Sequence, residues 1–236
     1  MNPKIVIPAC KDCSSLGCSI FGKLDHPALK EVSESKGANL YKRGQNIFYE
    51  GTRPSGLYCI RSGKVKVYKI DHLGSEQIVR LAKPGDILGY RSLISDELYA
   101  SFAAPLEDAL ICFIPRTIFF RYLNENAAFA LEFMKLLSRE LKNAENHVAD
   151  MAKKPVRERV AEALLFLKGF FGLEEDGKTL NVTMTREDLA NLVGTATETV
   201  IRFLSEFKHD KLIELDHRKI KILDSRKLIQ TARIYD

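Results

Sequence analysis

Three cysteines lie close together near the start of the chain, at Cys10, Cys13 and Cys18. Thiolates at such short spacing can bind a metal ion or an iron–sulfur cluster, or undergo redox reactions. A disulfide framework is not expected, because the cytoplasm keeps thiols reduced. Two more cysteines, Cys59 and Cys112, lie in short apolar runs. The spacing therefore predicts metal or redox chemistry in the N-terminal segment.

Polar residues in a two-helix pattern form a second candidate site. The segment that starts at Thr185 has the pattern of two short helices joined at Gly194. Thr185 and Asp188 form the capping-box signature of the first helix, and Thr195 or Thr197 can cap the second. In a helix-turn-helix, the start of the second helix enters the major groove of DNA.

The second helix of this pair places Glu198, Ile201 and Arg202 opposite its apolar face. An arginine can donate to the two acceptors on the guanine edge, and a glutamate can accept a hydrogen bond from the cytosine amino group. The alternative is that Glu198 and Arg202 form only an exposed ion pair on the helix, worth a few tenths of a kcal/mol.

Residues 212–223 have the pattern of a β-hairpin with a basic tip, the wing of a winged helix. Arg218, Lys219 and Lys221 can contact DNA phosphates and make binding dependent on salt, although such a loop is often only solvated. The candidate DNA-contacting residues are Thr185, Thr195, Thr197, Glu198, Thr199, Ile201, Arg202, Arg218 and Lys219.

An all-β domain is expected ahead of these helices. From Leu40 to Ile114, short apolar runs alternate with glycines that allow tight turns. Lys64–Tyr68 alternates between outward lysines and inward valines, as a half-exposed strand requires. The spacing of the runs predicts a jelly-roll-like barrel.

A long amphipathic helix is expected between Ala127 and Met151. Its apolar stripe is as narrow as a coiled-coil seam, so it predicts pairing with a second copy of the chain in a homodimer. The alternative is a helix that lies wholly against its own barrel. The stripe consists of Phe133, Leu137, Leu141, Ala144, Val148 and Met151.

Pro155 is expected to end this helix, because proline cannot continue the hydrogen-bond ladder. Residues 156–171 then predict another amphipathic helix, and residues 172–178 a loop. The fold class is α+β. The expected organisation is a cysteine-containing segment at 1–26, a β-barrel sensor domain at 27–126, a dimerisation helix at 127–154 and a winged helix-turn-helix DNA-binding domain at 155–236.

The composition argues against several classes of protein. The 236 residues are enough for two domains, and the net charge of +5 is compatible with a polyanionic partner. No apolar stretch approaches the roughly 18 residues of a membrane span, and the first residues lack a secretory signal, so we expect a cytoplasmic protein without a membrane segment. No nucleophile motif, phosphate loop or metalloprotease spacing is found, and the histidines are scattered, which argues against an enzyme.

The two-helix segment, with TREDLA at 185–190 and GTATETVIR at 194–202, resembles the helix-turn-helix of the CRP/FNR superfamily. SGLYCIRSG at 55–63 and KPGDILG at 83–89 are similar to the effector domain of that superfamily. The resemblance covers nearly the whole chain. It implies a cyclic-nucleotide-binding-like jelly-roll barrel, a homodimer that binds a palindromic promoter site in double-stranded DNA, and contacts with RNA polymerase.

The resemblance also implies that Glu198 and Arg202 read bases. The cyclic-AMP receptor branch has an arginine just before the reading glutamate, whereas this chain has Thr197, which favours an FNR-like half-site. Ile201 stands where FNR proteins usually have serine, so the base preference beside the guanine stays open. The barrel lacks the glutamate and arginine with which cyclic-nucleotide binders hold ribose and phosphate, which argues against that ligand.

Cys10, Cys13 and Cys18 resemble the N-terminal triad of FNR oxygen sensors, and Cys112 falls where those proteins have their fourth ligand. The resemblance implies a four-iron four-sulfur cluster that favours the dimer, and whose loss to oxygen or nitric oxide weakens DNA binding. The gap between Cys13 and Cys18 is one residue shorter than in the best-known FNR proteins. Three alternatives stay open: Cys112 is only a core residue, the four cysteines hold zinc, or the triad binds no ligand. Cys59 is expected to be a core residue.

Overall fold

The structure is a computed structural model, which describes residues 9–233. The chain divides into two compact units. One unit takes in the chain up to Ile70 together with Val79–Lys142, and the other takes in Asp71–Ile78 together with the chain from Asn143. Within the described residues, no helix is both long enough and apolar enough to cross a bilayer.

The N-terminal segment of the first unit consists of three short 3₁₀ turns, at Cys10–Asp12, Leu16–Cys18 and Ile20–Lys23. Helix α1, His26–Ser35, follows these turns. Asp25 caps α1, because its carboxylate accepts a hydrogen bond from an amide of the first helical turn. The turns give the N-terminal cysteines defined positions.

Seven strands build the β-domain that the sequence predicted: β1 Gly37–Tyr41, β2 Gly56–Ser62, β3 Val65–Ile70, β4 Glu76–Ala82, β5 Ile87–Leu88, β6 Phe102–Pro105 and β7 Ala109–Pro115. A four-stranded sheet has the order β1-β7-β2-β5, and a three-stranded sheet has the order β4-β3-β6. Both sheets contribute to one apolar interior, to which Ile60, Val67 and Ile111 belong. The predicted alternation in β3 is confirmed, since Val65 and Val67 are both buried.

A second apolar core lies between the outer face of the four-stranded sheet and the helices that cover it. Two of these helices are α2, Tyr90–Ser95, and α3, Arg116–Glu125. Phe21 of the N-terminal segment belongs to this core, and its ring centroid lies 5.6 Å from that of Phe129. The N-terminal segment therefore packs into the same core as the residues that follow α3.

The long helix α4 spans Ala127–Lys153, as the apolar stripe predicted. The stripe divides into two parts. Phe133 is buried in the second core, whereas Leu141 and Val148 keep 62% and 68% of their surface exposed. The second half of the stripe therefore leaves large apolar side chains uncovered in the single chain.

The second unit contains the expected winged helix-turn-helix. Its elements are α5 Val156–Phe171, α6 Arg186–Val193, α7 Thr197–His209, β8 Ile213–Asp216, β9 Lys219–Ile222 and α8 Ser225–Ala232. Helix α5 begins directly after Pro155, as predicted. Strands β8 and β9 pair antiparallel to form the wing, and Asp216 opposes Lys219 at its tip.

The exposed part of the α4 stripe predicts where the homodimer forms. We expect Leu141→Glu to weaken dimerisation by about tenfold or more, because burying a leucine side chain is worth about 1.5–3 kcal/mol. Sedimentation equilibrium measures the dissociation constant. Leu73→Glu is the matched control, since Leu73 is 79% exposed and lies outside the stripe. If both variants dimerise like the parent, the stripe is not the dimer contact.

Candidate cysteine site and nucleic-acid interface

Cys59 and Cys112 are directly opposite each other in the antiparallel pair of β2 and β7. Opposed residues of such a pair point to the same face of the sheet, with Cα atoms about 4.5–5.5 Å apart. That face is the outer one, because Leu57 and Ile114, two residues away on each strand, both belong to the second core. The two thiols therefore lie outside the barrel interior, under the N-terminal segment.

The N-terminal segment brings Cys10 and Cys13 to the same place. These two residues line one cavity with Cys59 and Cys112, which we term the cysteine cavity. The Cys10 amide donates a hydrogen bond of 2.9 Å to the Ser33 hydroxyl, which attaches the first 3₁₀ turn to α1. Apolar side chains complete the wall: Leu16, Phe21, Val32 and Ile114.

Two cationic side chains border the cysteine cavity. The Lys36 ammonium donates to the Cys10 sulfur at 3.1 Å. Arg61 also lines the cavity, and its Nη1 atom is buried without a hydrogen-bond partner in the described residues. A buried cationic nitrogen without a partner is costly, so an anion in the cavity would be stabilised by both side chains. Thiolates are anions of this kind.

Burial raises the pKa of the Cys59 thiol to about 12, and the neighbouring thiols of Cys112, Cys13 and Cys10 add to that rise. Burial likewise raises the pKa of Cys112, against the lowering effect of Lys36. Both thiols are therefore protonated at neutral pH in this form of the protein. A metal that binds here must displace their protons, because the thiolate is the ligand.

The structure separates Cys18 from the other three expected ligands. Cys18 is exposed and does not line the cysteine cavity. It lies against the turn at Gly85. If Gly85 carried a Cβ atom, that atom would lie only 2.8 Å from the Cβ of Cys18. The sequence interpretation missed Cys59 as a member of the site. The available signal was strand alternation, which places Cys59 on the same face as Leu57.

The donor chemistry of the cysteine cavity fits an iron–sulfur cluster or a zinc ion, since four thiols suit either. Among residues 9–233, no three Cys, His, Asp or Glu side chains stand in a metal-holding arrangement as the chain is folded here. Binding therefore requires the thiols to turn toward one another. Two of them, Cys10 and Cys13, lie on short turns that can move more readily than the paired strands.

The helix-turn-helix begins with the predicted capping box. The Thr185 hydroxyl accepts from the Asp188 amide, and the Asp188 carboxylate accepts from the Thr185 amide. Gly194 ends α6 in the left-handed conformation, with φ of +71°. Arg159 of α5 donates to the carbonyl oxygens of Met151, at 2.9 Å, and Gly194, at 3.4 Å. This positioning role of Arg159 was not foreseen, because it depends on a contact between distant parts of the chain.

The prediction that Thr195 or Thr197 caps the second helix of the pair, α7, is wrong. The N-cap of α7 is Ala196, which makes no side-chain hydrogen bond to the helix. The reason is the start of the helix: Thr197 already has helical geometry, and Thr195 lies one residue before the cap. The side chains of both threonines are therefore free of the capping role that the sequence suggested.

The exposed face of α7 carries the expected base-reading side chains. Glu198, Ile201 and Arg202 are exposed, while Val200, Leu204 and Phe207 on the opposite face are buried. The Arg202 guanidinium lies over the ring of Phe203 and 3.7 Å from Glu206. Arg202 thus pairs with Glu206 and not with Glu198, and such an exposed pair is too weak to hold it away from DNA.

The two candidate DNA-contacting residues of the wing, Arg218 and Lys219, have different surroundings. The Lys219 ammonium donates to Glu174 at 2.9 Å, and this hydrogen bond raises the pKa of Lys219. Arg218 is exposed at the tip, next to His217, whose φ of +51° shapes the turn. Arg186 donates to the His217 carbonyl at 3.0 Å and fixes the wing to α6. Arg218 is therefore better placed than Lys219 for a phosphate contact.

Aromatic side chains occupy the barrel near the turn that would hold a cyclic nucleotide. The Tyr99 ring stacks on Phe48 with centroids 4.2 Å apart. The Tyr99 ring also packs closely on Gly89. A Cβ atom added at Gly89 would lie 3.1 Å from the ring. Tyr99 and Phe48 thus belong to the apolar core of the barrel beside this turn.

Comparison with known proteins identifies the family. Residues 39–126 match the model of the cyclic nucleotide-binding domain, and residues 158–231 match that of the Crp-like helix-turn-helix domain. The Fumarate and nitrate reduction regulatory protein of Vibrio cholerae is 30% identical over 227 residues, which cover 95% of this chain and 90% of that protein. This chain belongs to the CRP/FNR family of transcription regulators. It is a DNA-binding regulator and not an enzyme.

A second relative is as similar in sequence, and a solved structure is similar in fold. The CRP-like cAMP-activated global transcriptional regulator of Mycobacterium tuberculosis is 30% identical, with 91% of this chain and 96% of that protein covered. The structure of FixK2 from Bradyrhizobium japonicum has a TM-score of 0.77 at 23% identity, and covers 85% of this chain and 99% of that chain. The Vibrio cholerae and Mycobacterium tuberculosis relatives, whose names describe different regulators, thus have the same identity to this chain.

The exposed position of Arg202 predicts a loss of specific DNA binding in Arg202→Ala. We expect about tenfold or weaker affinity for a duplex selected with the parent protein, because a bidentate contact to guanine is worth about 1–3 kcal/mol. Fluorescence anisotropy at constant salt measures the affinity. The control is Arg226→Ala on α8, also an exposed arginine. An equal loss on random duplexes would assign Arg202 to phosphate and not to base contact.

The two wing residues predict different salt dependence. Arg218→Ala should lower the slope of log affinity against log salt by about one for each protomer, the effect of losing one phosphate contact. Lys219→Ala should change the slope less, because Glu174 already binds the ammonium group of Lys219. Titrations at several salt concentrations compare the two variants. Equal slopes in both variants and the parent would place the wing away from the phosphates.

Proposed function

We propose that this CRP/FNR regulator senses oxygen, or nitric oxide, through a four-iron four-sulfur cluster. Three of the thiolates come from Cys10, Cys13 and Cys112. The observation that supports this proposal is the convergence of these three thiols on the cysteine cavity, beside Lys36 and Arg61. The similarity to proteins named for fumarate and nitrate reduction supports it as well.

The residues around the cavity would hold the cluster by charge and by shape. A cluster with four thiolates carries net negative charge, which Lys36 and Arg61 balance. The apolar side chains of the wall would limit the contact of the cluster with water, and such a setting tunes the chemistry of bound metal. When bound, the cluster supplies the reactivity toward oxygen and nitric oxide that the protein side chains lack.

The N-terminal segment connects the site to the long helix. The segment holds Cys10 and Cys13, and its Phe21 packs on Phe129 in the first turn of α4. A bound cluster would fix this segment to Cys112 on β7, and so stabilise one packing of the start of α4. Loss of the cluster would free the segment, because the tie between the segment and the strand is broken. The sensor then biases an equilibrium between two states of the dimer.

The output of this equilibrium is DNA binding by a homodimer. Two copies of α7, related by the symmetry of the dimer, would read the two halves of a palindromic site in promoter DNA. Glu198 and Arg202 supply base contacts, and Arg218 supplies a phosphate contact. RNA polymerase is the further partner of a regulator bound at a promoter.

Anaerobic purification followed by exposure to air tests the proposal. We expect a brown protein with about four iron and four sulfide per protomer, which bleaches in air while its affinity for DNA falls. Iron and sulfide assays, visible absorption and anisotropy measure the three quantities. Cys13→Ser is the matched variant, expected to be colourless and to bind DNA equally with and without air.

Two results would contradict the proposal. A colourless parent protein that contains zinc would assign the cysteine cavity to a structural metal. A parent protein without any metal, with the same DNA affinity before and after air, would leave a regulator that responds to another signal or to none.

A further inference from the structure

We propose that Cys59, and not Cys18, supplies the fourth thiolate, so that Cys10, Cys13, Cys59 and Cys112 together bind the cluster. The inference rests on the proposed iron–sulfur function and assigns its ligand set. The observation behind it is that these four thiols, and not the thiol of Cys18, line the cysteine cavity.

Strand pairing places Cys59 where a ligand must be. Its Cα partner in β7 is Cys112, and both side chains point to the outer face of the sheet. Cysteines so paired have neighbouring Cβ atoms on one face of the sheet, so turning their thiols toward each other requires no movement of the backbone. Two of the four proposed ligands, Cys59 and Cys112, therefore lie on the sheet. The other two, Cys10 and Cys13, lie on the N-terminal segment.

Strand β2 also brings a cation to the cysteine cavity. Arg61 lies two residues beyond Cys59, at the irregularity between Ile60 and Ser62, and its buried Nη1 has no hydrogen-bond partner in the described residues. The Ser15 hydroxyl donates to the Arg61 carbonyl at 2.8 Å, so the N-terminal segment is attached to β2 beside the cavity. Arg61 would balance part of the negative charge that the thiolates of a bound cluster carry.

Cys18 is held away from the cavity by its own turn. Its amide donates to the Ser15 carbonyl at 3.2 Å, and the Ser19 amide donates to the Leu16 carbonyl at 3.0 Å. The turn places the Cys18 side chain against Gly85. For Cys18 to reach the other thiols, the Leu16–Cys18 turn must open. Cys59 requires no such change.

Single substitutions distinguish the two ligand sets. Apoprotein of the parent, Cys18→Ser and Cys59→Ser is reconstituted anaerobically with ferrous iron and sulfide, and iron and sulfide per protomer are measured with the visible spectrum. We expect Cys18→Ser to take up as much iron and sulfide as the parent, and Cys59→Ser to take up about tenfold less. Electron paramagnetic resonance of the reduced cluster should be unchanged in Cys18→Ser.

Cys18→Ser decides the question even if Cys59→Ser fails to fold. Cys18 is exposed, so its substitution leaves the packing intact, and the chain then has only the four cysteines of the cavity. A full cluster in Cys18→Ser supports the inference. Loss of the cluster in Cys18→Ser, or its retention in a folded Cys59→Ser, overturns the inference while the oxygen-sensor proposal stands. A parent that takes up no iron overturns the proposed function itself.

Discussion

The antiparallel pairing of β2 with β7 is the constraint on which the barrel core and the cysteine site both depend. Because side chains alternate along each strand, one register sends Ile60 and Ile111 into the barrel and Cys59 and Cys112 to the outer face. A slip by one residue would exchange the two sets and lose both the apolar interior and the paired thiols. The barrel core and the cysteine cavity thus depend on the same strand register.

The outer face of this sheet becomes a site only because other parts of the chain cover it. The N-terminal turns bring thiols, α1 brings Lys36 through its C-terminal end, and the second core holds the cover in place through Phe21. The same core contains Phe129 and Phe133 of α4. The wall of the cysteine cavity and the start of the long helix therefore belong to one packed core.

Local features of the sequence account for the helix-turn-helix, except for one long-range contact made by Arg159. Caps at Thr185 and Gly194 set the bounds of α6, and the apolar face of α7 turns Glu198 and Arg202 outward. Arg159 adds a link that joins the end of α4 to the turn of the helix-turn-helix through two backbone carbonyls. Buried carbonyl groups need partners, so this arginine stabilises the turn that orients α7.

The sequence by itself determined the β-domain, the long helix and the winged helix-turn-helix, in that order, because periodicity, caps and turn residues act over a few neighbours. The α5 bounds, the capping box at Thr185 and the winged helix-turn-helix all belong to this local class. Only the tertiary structure decided which half of the α4 stripe is covered, that Lys219 is paired with Glu174, and that the cavity takes in Cys59 while Cys18 faces outward. Each of these depends on strand register and on packing between residues far apart in the chain, which the local sequence pattern does not specify.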